Sequence, residues 1–425
     1  MTIFEVFALL ITLTALFSYL NCRYVGLPTS VGVMLIALVV SGVLIALRAA
    51  GFEETRIASR FLERIDFDAA LLQGALSFLL FAGALNINLA ELAEEKWTVA
   101  ALAIVGVVIS TVVAGTAIYW GTRWAGLPLD YEWALVFGAL ISPTDPIAVL
   151  GILKRARVPR SLEIQIAGES LFNDGTGVVM FLVLSGIAIG GHHPTAGQVG
   201  LMFVQQALGG AALGVVLGWI TILLLKSVDN YRVEVLITLA LVMGGYALAM
   251  ALGTSGPIAI VCAGVLVGNQ GRALAMSDTT RHHVDTFWEL IDDMLNAVLF
   301  VLIGFEVLVL TFSRRLFVAG LVAVGAVLLA RWISVALPVA AMHRWRPLAR
   351  GTVAILTWSG VRGGISVAMA LSLPEGRERD IVLAMTYAVV AFSVVVQGLT
   401  INRFIRAVLP GGDTGASGPD RPESP

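Results

Sequence analysis

The sequence predicts an all-α integral membrane protein with about thirteen transmembrane helices. Hydrophobic residues occupy 58% of its 425 positions and charged residues only 13%, whereas soluble domains carry about 25% charged residues. Apolar runs of about 20 residues, the length that crosses a bilayer as a helix, recur along nearly the whole chain. The formal net charge of −2 gives no indication of a nucleic-acid partner.

Thirteen apolar segments follow one another along the chain. The first begins almost at Met1, without a preceding basic run, which argues against a cleaved signal peptide. The short ninth segment is also compatible with a re-entrant piece. Residues 410–425 have the composition of a disordered cytoplasmic tail, so we expect the membrane domain to cover 1–409. The expected spans are 3–20, 28–50, 69–88, 97–121, 131–152, 161–190, 198–226, 232–253, 256–270, 288–312, 316–342, 351–373 and 380–406.

Several spans carry charged residues near the middle of the bilayer. An ionisable side chain at that depth is costly, and by default it marks an ion or proton pathway. In the sixth span, Glu169 and Asn173 are four residues apart, as are Ser170 and Asp174, so each pair shares a helix face. If all five central ionisable groups are charged, their sum is −1, which one monovalent cation or one proton would neutralise. The five groups are Asp145, Glu169, Asp174, Arg331 and Arg362.

The backbone is expected to break beside these charges. Pro143 and Pro146 remove helix donors and clash with the preceding turn, so the fifth span should unwind around Thr144. The glycine-rich stretch 359–364 predicts a second break in the twelfth span. Interrupted helices at corresponding places in two halves indicate a transporter binding site. Spans 1–6 and 8–13 would then form two inverted six-helix repeats, because spans 5 and 12 run in opposite directions.

The distribution of basic residues predicts the orientation in the membrane. With the N-terminus outside, the inside loops hold fifteen Lys and Arg residues and the outside loops nine. Because cytoplasmic loops carry the excess of Lys and Arg, we expect the N-terminus outside and the C-terminus in the cytoplasm.

Three motifs together resemble the monovalent cation/proton antiporters of the NhaP/NHE type, and the resemblance covers nearly the whole chain. It implies thirteen helices, a homodimer in the cell inner membrane, and alternating access. A core bundle (97–190 and 316–406) would move against a dimerisation part (1–90 and 198–312). The motifs are Ser142-Pro143-Thr144-Asp145-Pro146-Ile147-Ala148-Val149, Gly168-Glu169-Ser170-Leu171-Phe172-Asn173-Asp174-Gly175 and Gly360-Val361-Arg362-Gly363-Gly364-Ile365-Ser366.

The resemblance also implies roles for individual residues. Asp174 resembles the carboxylate that binds cation and proton in turn, and Ser170 and Thr144 resemble its co-ligands for Na⁺. Asp145 stands where the family has a carboxylate facing the half-helix ends, and Asn173 where it has the amide that steadies the site. The Asn-Asp pair implies electroneutral exchange. Glu169 resembles the partner of Arg331, and Arg362 the positive charge at the second helix crossing.

The expected function is therefore exchange of a monovalent cation, Na⁺ first, for H⁺, with no cofactor and no enzymatic activity. A buried carboxylate can hold a proton or a cation, and hard oxygen ligands suit Na⁺, Li⁺ or K⁺. K⁺/H⁺ exchange on the same fold stays open. A channel, a proton-pumping subunit of a redox complex, or an intramembrane aspartyl protease built on Asp145 and Asp174 are the alternatives from other classes.

One position departs from the family pattern. Many relatives carry a glutamate near Ala82 in the third span, where this sequence has no central carboxylate. Asn86 or a water is expected to complete the shell. His282 and His283, before the tenth span, are candidates for sensing cytoplasmic pH, although a plain interfacial loop explains them too. Asp292 and Asp293 are expected at the inner membrane boundary.

Overall fold

Every regular element in the described part of the chain is a helix. The computed structural model describes residues 3–50, 74–145, 149, 153, 158–190, 195–306, 313–343 and 351–408. The helices are α1 Ile3–Leu20, α2 Thr29–Ala49, α3 Leu76–Leu85, α4 Leu89–Ala100, α5 Val107–Trp124, α6 Tyr131–Leu140, α7 Arg160–Gly190, α8 Ala196–Lys226, α9 Tyr231–Ala251, α10 Gly256–Leu266, α11 Asp278–Glu306, α12 Arg314–His343, α13 Thr352–Trp358, α14 Gly364–Leu371, α15 Arg377–Phe392 and α16 Gly398–Val408.

The helices confirm the prediction of an all-α, multi-pass membrane protein. Within the ranges given above, nine helical stretches are long and apolar enough to cross a membrane, and the shorter α3 and α6 are apolar as well. Short π-helical segments continue some helices; one, Ala101–Gly106, joins α4 to α5 in a single stretch. The tail at 410–425 and Pro146 lie outside the described residues, so both predictions made for them stay predictions.

Two helices begin earlier than the apolar pattern predicts. The stretch formed by α4 and α5 begins at Leu89 rather than 97, and α11 begins at Asp278 rather than 288. The physical reason at α4 is a cap: the Asn88 side chain accepts hydrogen bonds from the backbone nitrogens of Ala90 and Glu91. A hydropathy pattern does not include polar first turns such as Asp278–Arg281, because their residues are not apolar.

Both predicted interruptions are present. Helix α6 ends at Leu140, and residues 141–145 leave the helical conformation. Helix α13 ends at Trp358, and α14 begins only at Gly364. Proline at 143 and glycines at 360 and 363 explain why the chain stops being helical at these points.

The helices pack most closely within two groups. In the first, α5 packs on α6 and α12, α6 on α7, and α12 on α15. In the second, α8 packs on α10, α2 on α11, and α3 on α10. Contacts between the groups are sparser and run through α7 with α8 and α10, and through α14 with α11. A cavity lies between these helices, lined from both groups.

Candidate cation site

The two interrupted helices cross each other and are joined at the crossing. The backbone nitrogen of Asp145 donates a hydrogen bond to the carbonyl oxygen of Val361 at 2.7 Å. Arg362, which is fully buried, donates from Nη1 to the carbonyl oxygens of Ser142 (2.6 Å) and Pro143 (2.9 Å). The guanidinium therefore satisfies two carbonyl groups that the break in the first helix leaves without helical partners.

Two glycines of the second break allow charged side chains to come close to the main chain. A Cβ atom at Gly363 would stand 2.5 Å from Oδ2 of Asp145, and one at Gly360 would stand 2.5 Å from Nε of Arg331. Any larger residue would force the charged side chains away. The glycine-rich motif therefore serves close packing as well as the break itself.

Helix α7 presents a compact hydrogen-bonded group to the first break. The hydroxyl oxygens of Thr144 and Ser170 are 2.9 Å apart, and Nδ2 of Asn173 donates to Oγ1 of Thr144 at 2.8 Å. The backbone nitrogen of Thr144 donates back to Oδ1 of Asn173 at 3.3 Å. Asn173 thus holds the unwound segment against α7 through both its amide atoms, and all three side chains are buried.

Asp174 lies one residue beyond this group and faces the cavity. Its side chain is 7% exposed, and its Oδ1 atom is buried without a hydrogen-bond partner among the described residues. Asp145 and Arg362 act on it electrostatically with opposite signs. A buried carboxylate oxygen in this state is costly, and a proton or a cation at that oxygen would remove the cost.

A buried ion pair braces the other side of the site. The two terminal guanidinium nitrogens of Arg331, Nη1 and Nη2, donate to the two carboxylate oxygens of Glu169, and the bond from Nη2 to Oε2 is 3.0 Å long. Arg331 also donates from Nε and Nη2 to the carbonyl oxygen of Leu356, at 3.2 and 2.9 Å. The side chain therefore links α12, α7 and the end of α13.

The cavity connects Asp174 with one end of the helix bundle. Its volume is about 590 Å³, and its lining extends from the buried Thr144 and Asp174, with Asp145, to the exposed Arg160. At its rim, Arg160 forms ion pairs with Glu91 (2.9 Å) and Glu163 (2.8 Å). The opposite wall belongs to α11 and is acidic: Asp285, Glu289, Asp292 and Asp293. Such a wall attracts cations towards the deep carboxylates.

Comparison with known proteins decides the family. The sequence model described as "Sodium/hydrogen exchanger, transmembrane" matches residues 10–407. The chain belongs to the sodium/hydrogen exchanger family. Among similar curated proteins, the Na⁺/H⁺ antiporter NhaP of Pseudomonas aeruginosa is 47% identical over 412 residues, which cover 96% of this chain and 97% of the relative. The Na⁺/H⁺ antiporter NhaH of Halobacillus dabanensis is 36% identical over 383 residues, with 87% and 91% covered.

A solved structure of the family shares the fold. The sodium proton antiporter MjNhaP1 from Methanocaldococcus jannaschii, at pH 8, superposes with a TM-score of 0.76 at 20% identity. The match covers 95% of this chain and 97% of that one. Together with the family match, it confirms that the resemblance seen in the three motifs was assigned to the right family.

The structure also brings to the cavity several residues of this exchanger-family chain to which the sequence assigned no part in the site. Asp292 and Asp293, expected at the membrane boundary, line the cavity wall together with Asn296. Ser366, in the third position of α14, lines it as well. The helical spacing of Glu289, Asp292 and Asn296 puts them on one face, but only the packing of α11 decides where that face points.

The sequence also singled out Ala82, Asn86, His282 and His283. Ala82 is buried in α3, and Asn86, at the end of α3, donates from Nδ2 to the carbonyl oxygen of Ala82 at 3.3 Å while lining the cavity. His283 stacks on Tyr231 with ring centroids 4.3 Å apart. The expectation of a loop before the tenth span is wrong for His282 and His283, because the helix α11 begins at Asp278 and includes both. Both are exposed, and neither belongs to the cavity lining within the described ranges.

Proposed function

We propose that the chain is a secondary antiporter that exchanges Na⁺ for H⁺ across the membrane. The observation that carries the proposal is the Asp174 carboxylate: it is buried, faces the cavity, and has one oxygen without a partner among the described residues. Ser170 lies one helical turn before Asp174 on α7, and its hydroxyl oxygen is 2.9 Å from that of Thr144. The names of the two full-length relatives, both Na⁺/H⁺ antiporters, support the same conclusion.

The chemistry of the site accounts for coupling. Asp174 holds either a proton or a cation, because either one neutralises the same carboxylate and both together would leave an excess positive charge. Asp174, Ser170 and Thr144 supply hard oxygens, which suit Na⁺. Asn173 fixes the position of Thr144 through two hydrogen bonds, and Asp145 adds negative charge near the site. Exchange follows if the protein cannot switch between inward-facing and outward-facing states while Asp174 is ionised and empty. Such a switch is unfavourable because a buried charge without a counter-charge is costly.

The remaining charges are structural in this scheme. The Glu169–Arg331 pair neutralises itself, and Arg362 compensates the carbonyls of the first break. Only Asp174 then changes its occupant during a cycle. We therefore infer one cation exchanged for one proton, without net movement of charge.

We further infer alternating access between two moving parts. The closely packed groups of helices support a core bundle at about 97–190 and 316–406, and a dimerisation part at about 1–90 and 198–312. Thirteen helices in two inverted repeats would place the breaks at 141–145 and 359–363 in equivalent positions, antiparallel to each other. A homodimer would form through the second part.

The basic residues support an N-out, C-in topology in the cell inner membrane. Arg123 lies in the last turn of α5, close to Gly126 in the loop that follows. A Cβ atom built on Gly126 would be 3.9 Å from Nε of Arg315 at the start of α12, so two predicted outside loops share one end of the bundle. Arg160, in a predicted inside loop, stands at the cavity rim. The cavity would then open to the cytoplasm.

The function can be tested with purified protein in liposomes that carry an internal pH-sensitive dye and an imposed pH gradient. Addition of Na⁺ should dissipate the gradient without any partner protein, and choline should not. Equal dissipation by choline would contradict the proposal. K⁺ and Li⁺ additions decide between Na⁺/H⁺ and K⁺/H⁺ exchange, because the oxygen ligands suit all three ions. Cleavage of a peptide in the same vesicles would indicate the protease alternative.

A further inference from the structure

Ser366 carries a buried hydroxyl group that has no role in the exchange mechanism proposed for Asp174. The residue is 1% exposed, and its Oγ atom has no hydrogen-bond partner among the described residues. A buried hydroxyl without a partner costs free energy, and such groups call for a physical explanation. Ser366 lines the same cavity as Asp174.

The position of Ser366 on α14 directs it towards the charged part of the cavity. A Cβ atom built on Gly363, the N-cap residue of α14, would stand 2.5 Å from Oδ2 of Asp145, and Ser366 is the third residue of the helix that begins there. Ser366 and Asp174 therefore line one cavity from α14 and α7, and each has a buried oxygen, Oγ and Oδ1, without a hydrogen-bond partner among the described residues.

We propose that Ser366 is a ligand of the transported cation, and that it contributes a neutral oxygen from the second interrupted helix. This inference rests on the proposed exchange at Asp174. A serine hydroxyl offers two acceptor lone pairs, so it can coordinate a cation while Asp174 supplies the charge. With Thr144 and Ser170 on the other side, the ion is held by both breaks at once.

A neutral ligand affects affinity and ion preference more than turnover. It neither titrates nor changes the charge of the site, so the coupling between cation and proton stays with Asp174. Ser366→Ala should raise the apparent KM for Na⁺ about tenfold, the equivalent of about 1.4 kcal/mol, and leave the maximum rate within about twofold of the wild type. Ser366→Thr retains the hydroxyl and should retain most of the affinity.

Ser110 offers a matched control. Its Oγ atom is also buried without a partner among the described residues, but Ser110 lies on α5 and outside the cavity lining. Ser110→Ala removes the same atom from an equally buried place, so it should leave the KM for Na⁺ unchanged. A general effect of removing a buried hydroxyl would change both variants alike.

The experiment measures Na⁺-dependent proton flux in liposomes and, separately, the rise of the melting temperature when NaCl replaces choline chloride. Ligands that bind the native state raise its stability, so Ser366→Ala should lose part of the Na⁺-specific rise while Ser110→Ala keeps it. An unchanged KM together with an unchanged Na⁺-specific rise in Ser366→Ala overturns the assignment of Ser366. A wild-type protein without Na⁺-dependent flux overturns the proposed function instead.

Discussion

The backbone nitrogen of Asp145 donates a hydrogen bond to the carbonyl oxygen of Val361, 2.7 Å away. The two residues are far apart in the sequence, and each lies in the non-helical part of an interrupted helix. The bond therefore fixes the distance between the two breaks through the main chain, independently of any side chain. A substitution that removes a charged side chain near the crossing should therefore change the charge of the site and leave this main-chain contact in place.

The first prediction concerns the charge at Asp174. Asp174→Asn should fold and insert normally but abolish exchange, because a neutral amide neither titrates nor offsets the charge of a cation. The measurement is Na⁺-dependent proton flux in liposomes, with the melting temperature as the control for folding. Cation-dependent flux retained in this variant would rule out Asp174 as the exchanging carboxylate.

The second prediction concerns the buried ion pair. Arg331→Ala leaves Glu169 buried without its partner and frees the carbonyl group of Leu356. Removing one member of a buried pair costs about 3–5 kcal/mol, so the variant should melt at a clearly lower temperature and give a lower yield. The double change Glu169→Gln with Arg331→Gln should recover part of the loss, since no unpaired charge remains. A single variant that melts like the wild type would contradict the pairing.

The third prediction concerns the close approach at Gly363. Gly363→Ala puts a methyl group within 2.5 Å of the Asp145 carboxylate, and such overpacking typically costs about 1–3 kcal/mol. We expect a lower melting temperature together with weaker Na⁺ binding, because Asp145 must move. Gly325→Ala on α12 is the matched control, since a Cβ there meets nothing within 4 Å. If both variants melt alike, Gly363 is not constrained by Asp145.

The fourth prediction concerns the charge moved in each cycle. If only Asp174 changes its occupant, transport in liposomes should not respond to a voltage imposed with potassium and valinomycin. Asn173→Asp adds a second carboxylate beside Asp174 and removes the amide that holds Thr144. We expect that variant to lose activity rather than become electrogenic, because the added charge has no basic partner. Strong acceleration of wild-type transport by voltage would mean that a second carboxylate, Asp145 or Glu169, also titrates.

Much of the fold follows from the sequence because a bilayer restricts what a chain can do. Helices are required where the backbone meets lipid, so apolar runs such as 196–226 predict their elements closely. Charges are costly at depth, so Glu169 and Asp174 mark the site without any structure. Pro143 and the glycines at 360 and 363 predict the breaks for equally local reasons.

The remainder depends on which parts of the chain meet in space. The sequence indicates a positive charge at Arg362 but not that its guanidinium reaches the carbonyl groups of Ser142 and Pro143. The cavity-facing positions of Ser366 and Asp292 depend on how α14 and α11 are rotated. These relationships come from packing between distant segments, about which local composition carries no information.

The partnership between Arg362 and the first break has a consequence for how the protein is made. The carbonyl groups of Ser142 and Pro143 are synthesised about 220 residues before Arg362, whose guanidinium donates hydrogen bonds to them. Main-chain carbonyl groups without hydrogen bonds are not tolerated in lipid. Until Arg362 has been synthesised, this segment must therefore stay in contact with water or with other parts of the nascent protein. We expect nascent chains truncated before residue 362 to stay open to proteolysis between residues 141 and 145, and chains that include α14 to become protected. Completion of the ion site would then have to wait for the synthesis of Arg362.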